Sequence, residues 1–335
     1  MVVMSGTFQA CSRAPVPLKL DAIISGFDGQ FDAAVGTTLP GAVILLIKDG
    51  EVYYQGAFGY KDLENKQRMT IDTVFRVASI SKTIAALRAM RLVEAGLIAL
   101  DDTVDNYLSR ERFPASIHDI QGITFRKLLS HTIGTRAHFY YSDIAYNILQ
   151  LEMRLITRSF LADYVTTHIF EPLTMSSSFY ESGPLPIPDE RLARPHTSDL
   201  GSPPFVFLSE AWNAAGGLYT TAGDLANLII AIMNCYNGDD TNFIVTRDTL
   251  VTMVRPQGRG LMVSGLFTGL GFFVTEHENG KMTVSHGGIL PGWRAHYEFS
   301  LETGDGIIIL TNGDSGGELL IQPVMKQWLH YVKSR

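Results

Sequence analysis

Hydrophobic and polar positions change their rhythm twice along this chain. From Ala42 to Ile47 and again from Glu51 to Phe58, two apolar-rich stretches flank Asp49-Gly50, and two such runs about a turn dipeptide predict a β-hairpin. From Ser79 to Ala95 the period becomes helical, with Ile80, Ile84, Leu87 and Met90 in register and few charges. A helix apolar nearly all round is a buried one, and Gly96 follows where a helix end favours a left-handed residue. Helical spacing recurs over 124–130, 143–156, 161–169, 221–233 and 247–254. Short strand-like runs then return at 271–275, 282–285, 295–300 and 306–310. They are separated by Glu278-Asn279-Gly280, Pro291-Gly292 and Thr303-Gly304-Asp305-Gly306, and a last helix is predicted over 318–332.

Strands at both ends with helices between them imply that the two ends meet in one sheet. Residues 1–75 and 241–335 are expected to form an α/β part, with 76–240 a mainly helical region inserted into it. The cleft between them is the expected place for a ligand.

With 46% apolar and 18% charged residues, the composition is that of a packed globular protein. A net charge of −7 without any run of Lys or Arg removes nucleic acid from the expected partners. No stretch reaches the roughly 20 apolar residues of a membrane span; even 225–233 is short and interrupted by Asn227. Residues 1–17 lack the basic start and continuous apolar run of a secretory signal, which gives the expectation of a cytoplasmic protein. Cys11 and Cys235 are too few for a disulfide framework and read as free thiols. The scattered His138, His168, His196 and His296 show no metal-ligand spacing, so neither metal nor cofactor is expected.

Candidate chemistry begins at Ser79-Ile80-Ser81-Lys82. A spacing of three puts hydroxyl and ammonium on one helical face. A serine hydroxyl becomes a useful nucleophile only beside a base that takes its proton, and desolvation in an apolar site prepares a lysine for that role by lowering its pKa. The plainer alternative is an N-cap serine with an exposed lysine one turn on. Tyr140-Tyr141-Ser142-Asp143 precedes a helix; a phenol near the lysine would share its proton and protonate a leaving group, whereas the bland reading is a core aromatic with a helix cap. Ser285-His286-Gly287-Gly288 ends a strand, where glycines allow close approach to a ligand and a backbone N–H could hold an oxyanion.

These three elements, in this order, resemble the motifs of the serine β-lactamase and penicillin-binding-protein superfamily. The closer likeness is to the branch of class C β-lactamases, family VIII esterases, D-aminopeptidases and DD-peptidases. The stretches 39–42, 72–75, 128–132, 171–173, 215–226 and 291–293 fit it as well. The resemblance implies an α/β (α+β) fold with an antiparallel sheet flanked by helices and an inserted helical region. It also implies Ser79 as acylated nucleophile, Lys82 as its proton partner and Tyr141 as second base, Tyr140 being the alternative. Asp143, His286, Gly287, Gly288 and Ile289 would bind substrate, with the N–H groups of Ser79 and Ile289 as the oxyanion hole. His131 is expected to be structural.

Three departures shape the expected activity. Asp143 stands where the branch has Asn, and a carboxylate near Lys82 favours its charged form, unless Asp143 turns away as a cap. The interval from His131 to Tyr141 is short, which predicts a more open pocket. His286 and Gly287 replace a Lys and a Thr, removing a fixed cation and a hydroxyl; Arg294 is either a replacement cation or a structural arginine. The expectation is therefore a carboxylesterase acting on a small-molecule ester, ahead of an amide or β-lactam. The alternatives are a β-lactamase, a D-amino-acid peptidase or DD-peptidase, an acyltransferase, or a catalytically silent ligand-binding homologue.

Overall fold

The computed structural model describes residues 20–21, 23–25, 38–106, 122–133, 139–180, 188–203, 209–239, 244–257 and 265–335. The N-terminal segment with Cys11, and His138, lie outside the described residues.

After helical residues at 20–21 and 23–25, the described chain gives β1 (Gly41–Lys48) and β2 (Glu51–Asp62), joined at Asp49-Gly50. Both turn residues have positive φ, the conformation a two-residue hairpin requires. Short strands β3 (Gln67–Arg68) and β4 (Phe75–Arg76) lead into a 3₁₀ turn at Ala78–Ile80 and then α1 (Ser81–Glu94). The middle of the chain supplies α2 (Phe125–Leu129), α3 (Asp143–Thr157), α4 (Leu161–Val165), β5 (Phe179–Tyr180), α5 (Asn213–Gly216), β6 (Leu218–Thr220), α6 (Ala222–Tyr236) and α7 (Arg247–Val254). There follow β7 (Leu266–Thr268), β8 (Phe273–Glu276), β9 (Met282–Leu290), β10 (Trp293–Ser300), β11 (Gly306–Thr311) and α8 (Gln322–Ser334).

Eight strands form one antiparallel sheet in the order β3-β2-β1-β11-β10-β9-β8-β7. The first hairpin and the last strands thus share a sheet, and β1 pairs directly with β11, Ala42 opposite Thr311. Alternation along these central strands divides their side chains between two cores. Ala42, Ile44, Leu46, Ile307 and Ile309 pack with Trp328 and Val324 of α8. Val43, Leu45, Ile308 and Leu310 join the larger core with Ile80 of the 3₁₀ turn and Ile84 and Leu87 of α1. The fold is the mixed α/β, antiparallel-sheet architecture expected from the sequence.

Among the boundaries that differ from the sequence expectation, two have a direct physical reason. The strand expected to stop at Ser285 runs on through His286-Gly287-Gly288 to Leu290, because β10 pairs with it along its whole upper half. The helix expected from Ser79 begins in earnest at Ser81, since residues 78–80 form a tighter turn. The three-stranded sheet β4-β6-β5 was not expected, its strands being only two or three residues long. No described helix is long and apolar enough to cross a membrane.

Candidate active site

Ser79 stands on the turn between β4 and α1, and the chain reaches it through strain. Ala78 holds φ at +49°, a left-handed conformation that costs a non-glycine residue on the order of 1 kcal/mol. Two anchors hold that geometry. Ser81 Oγ donates to the Ala78 carbonyl at 2.6 Å and accepts from the Leu218 N–H at 2.9 Å, while Val77 N–H donates to the Leu218 carbonyl.

One turn on, Lys82 is fully buried. Its Nζ lies 3.1 Å from Ser79 Oγ, 2.6 Å from Asp143 Oδ1 and 2.7 Å from the Ala215 carbonyl. Burial lowers its pKa, and the charge and hydrogen bond of Asp143 oppose that shift. Of the two expectations for Asp143, contact with the lysine is the one realised, and Ser142 is the residue that caps α3. The arrangement suits proton transfer in a definite way. As an ammonium, Lys82 donates to all three; once neutral, with its two N–H groups kept by Asp143 and Ala215, its lone pair would face Ser79.

Tyr141, and not the more exposed Tyr140, lines the same cavity as Ser79. Burial raises its pKa and the neighbouring Ser79 hydroxyl opposes that. Its ring stacks on His131 at 4.4 Å, with Lys82 Nζ 4.9 Å from the ring centre. His131 is held below the usual imidazole range, at about 2, by burial and by Lys82. The neutral ring accepts the Ser142 N–H on Nδ1 at 3.1 Å, so it fixes the segment that carries Tyr141.

The opposite wall is the upper half of β9. Pairing of β8 ends at Phe273 opposite Ser285, which leaves the outer edge of residues 286–290 facing the Ser79 turn. Leu290 and Trp293 close the two-residue turn at Pro291-Gly292, where Gly292 has φ +78°. Ladder hydrogen bonds alternate from one residue to the next; with Leu290 and Trp293 bonded to each other, the N–H of Ile289 points away from β10. A Cβ added at Gly288 would lie 2.1 Å from the Val77 carbonyl oxygen, so only glycine allows strand and turn to come this close.

His286 completes the site. Its Nδ1 donates to the Gly287 carbonyl at 2.7 Å, and burial together with Lys82 holds its pKa down to about 3. In the unfolded chain an imidazole takes its proton near pH 6.5. The stability that comes from burying it neutral is therefore complete above that pH and is lost as pH falls toward 3. Between pH 7 and 5 the loss is about 2 kcal/mol, and a His286→Asn variant is expected to lose that much less than the parent protein in urea unfolding. Equal losses in the two proteins would show that the ring takes its proton in the folded protein as it does in the unfolded chain.

A cavity of about 500 Å³ joins Ser79, Tyr141 and His286 to Phe273, Arg294 and Ile321. Arg294 is a fixed group: its Nη1 meets the Leu290 and Trp293 carbonyls and Asp314, each within 2.9 Å. Sequence reasoning missed the Ala215 carbonyl, which carries no side-chain signal, and the contribution of Ile321 and Gln322 at the start of the last helix. The family model described as Beta-lactamase matches residues 23–323.

The chain belongs to the beta-lactamase family. It is similar to Esterase EstB of Burkholderia gladioli, 38% identical over 128 residues, covering 37% of this chain and 33% of that protein. Protein flp of Staphylococcus aureus (strain MW2) is 22% identical over 313 residues, 83% of this chain and 60% of that protein. The chain thus spans less than two thirds of the length of these curated relatives. Its fold is similar to the octameric penicillin-binding protein homologue from Pyrococcus abyssi (TM-score 0.78, 20% identity, 93% of this chain and 78% of that one). It is also similar to EstCE1, a hydrolase with promiscuous acyltransferase activity (TM-score 0.75, 20% identity, 93% and 99%).

Proposed function

We propose that this beta-lactamase-family chain is a serine hydrolase that cleaves carboxylic esters through an acyl-enzyme on Ser79. The observation that carries the reading is the Lys82 amine, buried and held by two acceptors so that its third direction meets the Ser79 hydroxyl. Ser79 Oγ attacks the carbonyl carbon and its proton passes to Lys82. The carbonyl oxygen becomes an oxyanion facing the N–H groups of Ser79 and Ile289. Collapse breaks the bond to the alcohol, which leaves with a proton from Tyr141, recharged from Lys82. Water then attacks the acyl carbon by the same route, releasing the acid and restoring Ser79.

Esters are favoured over penicillins because the position held by lysine in class C β-lactamases is here a neutral imidazole. The 38% identity with an esterase over part of the chain supports the same choice. Intact-mass spectrometry after exposure to a fluorophosphonate is expected to show one adduct that is absent from Ser79→Ala. A parent protein that takes no label and turns over no ester would instead be a silent binding homologue.

The Asp143 carboxylate should make the enzyme demand a higher pH. Lys82 accepts a proton only when neutral, and Asp143 favours its charged form. Asp143→Asn removes that opposition, so the acidic limb of kcat/KM against pH is expected to move down by about one unit or more. An unmoved limb would assign it to another group.

A further inference from the structure

The cavity around Ser79 does not end at the sheet. Directly opposed residues of an antiparallel pair share a face, and neighbours alternate. On that rule Gly287 and His296 share one face with Ile289 and Arg294. His296 lies opposite Ile309 of β11, which packs toward the last helix, whereas its neighbour Tyr297 lies opposite Ile308 and joins the core on the Ser79 side. One continuous cavity is nonetheless lined by Ser79, Tyr141 and His286 on the first side and by Arg294, His296 and Gln322 on the second. It crosses from one face to the other over the edge of β9, beyond the end of β8, where positions 287 and 288 have no side chains.

The two glycines differ in what they do. Gly288 is required by the approach of the Val77 carbonyl. At Gly287 an added Cβ would find only ordinary contacts, 3.7 Å from the Ala295 oxygen and 3.8 Å from His296 Nδ1, and its φ lies outside the left-handed region. Packing does not demand a glycine at 287; its effect is to leave the passage open beside His296.

We infer that Gly287 is a specificity-determining opening through which the alcohol portion of an ester passes to the lobe beneath the start of α8. This rests on the ester-hydrolase reading above and names its substrate class: esters of extended alcohols with an oxygen acceptor at the far end. Tyr141, which protonates the leaving alcohol, lines the same cavity as the passage, and on that ground the alcohol rather than the acyl part is assigned to it. At the far end, Arg294 is held by Nη1 alone among its described hydrogen bonds, which leaves its other edge to an oxygen of the ligand, and Gln322 adds an amide.

The test compares Gly287→Val with the parent protein on methyl butanoate and on 5-carboxypentyl butanoate, which share an acyl group, and on methyl decanoate. Valine closes the passage. The expected result is a fall in kcat/KM for the carboxypentyl ester at least tenfold greater than for either methyl ester. Ile321→Phe, which fills the lobe from its other wall, should shift the same ratio in the same direction and serves if the valine variant does not fold. Equal effects on all three esters, or a selective loss of the decanoate, would overturn the inference while leaving ester hydrolysis intact. If the parent protein turned over none of the three, the ester-hydrolase reading would fall and this inference with it.

Discussion

Replacing Lys82 with methionine is expected to lower ester turnover about a thousandfold while leaving the fold as stable as before or up to about 2 kcal/mol more so. The two effects separate because the amine is costly to bury and useful only in the reaction. Lys82 is fully buried, whereas the Asp143 side chain remains 49% exposed. Removing one partner of a buried pair usually strands the other without water, but Asp143 keeps its solvent. Methionine is close to lysine in length and fills the space without a charge to desolvate. Initial rates with a p-nitrophenyl ester and urea unfolding of the same preparation check both halves. Turnover within tenfold of the parent protein would remove Lys82 from the proton transfer, and a large loss of stability would make it a structural ion pair.

The second large effect is expected at Gly288. Gly288→Ala would put its methyl 2.1 Å from the Val77 oxygen and 3.0 Å from the Val77 carbonyl carbon. The obstacle is backbone, which has no rotamer to change, so strand and turn must separate by on the order of 1 Å. Ser79 and Ile289 sit on the two parts that move, and a displacement of that size in a reacting geometry costs about a hundredfold in rate. Strain in the packing around it adds about 1–3 kcal/mol of destabilisation. At Gly287 the contacts an alanine would meet are ordinary, so Gly287→Ala is expected to keep its melting temperature. Similar melting temperatures for both alanine variants would mean that β9 and the Ser79 turn adjust freely.

What the sequence made legible follows from the kind of signal each residue carries. Ser79 and Lys82 were readable because a spacing of three at the head of an apolar helix brings the two together, whereas Tyr141, with Tyr140 as the alternative, came only from the family resemblance, a tyrosine before a helix cap being as readily a core aromatic. The hairpin at Asp49-Gly50 and the last four strands of the sheet were readable from turn residues and alternation. The Ala215 carbonyl was not, since a backbone acceptor has no residue type. Nor was the outcome of the contest at Lys82, where burial lowers the pKa and Asp143 raises it; composition names both influences and only geometry ranks them. Nor was the continuation of the strand through His286-Gly287-Gly288 legible, because what keeps it extended is the distant pairing with β10.

The ladder between β1 and β11 has a consequence for how the molecule is made. Ala42 meets Thr311 and Ile47 meets Gly306, so the middle of the sheet is knit from segments far apart in the sequence. Contacts of such long loop closure form late. During synthesis the first hairpin must wait, one flank unpaired, until the residues around 306–311 have left the ribosome, and a product interrupted before them would expose that flank to other chains.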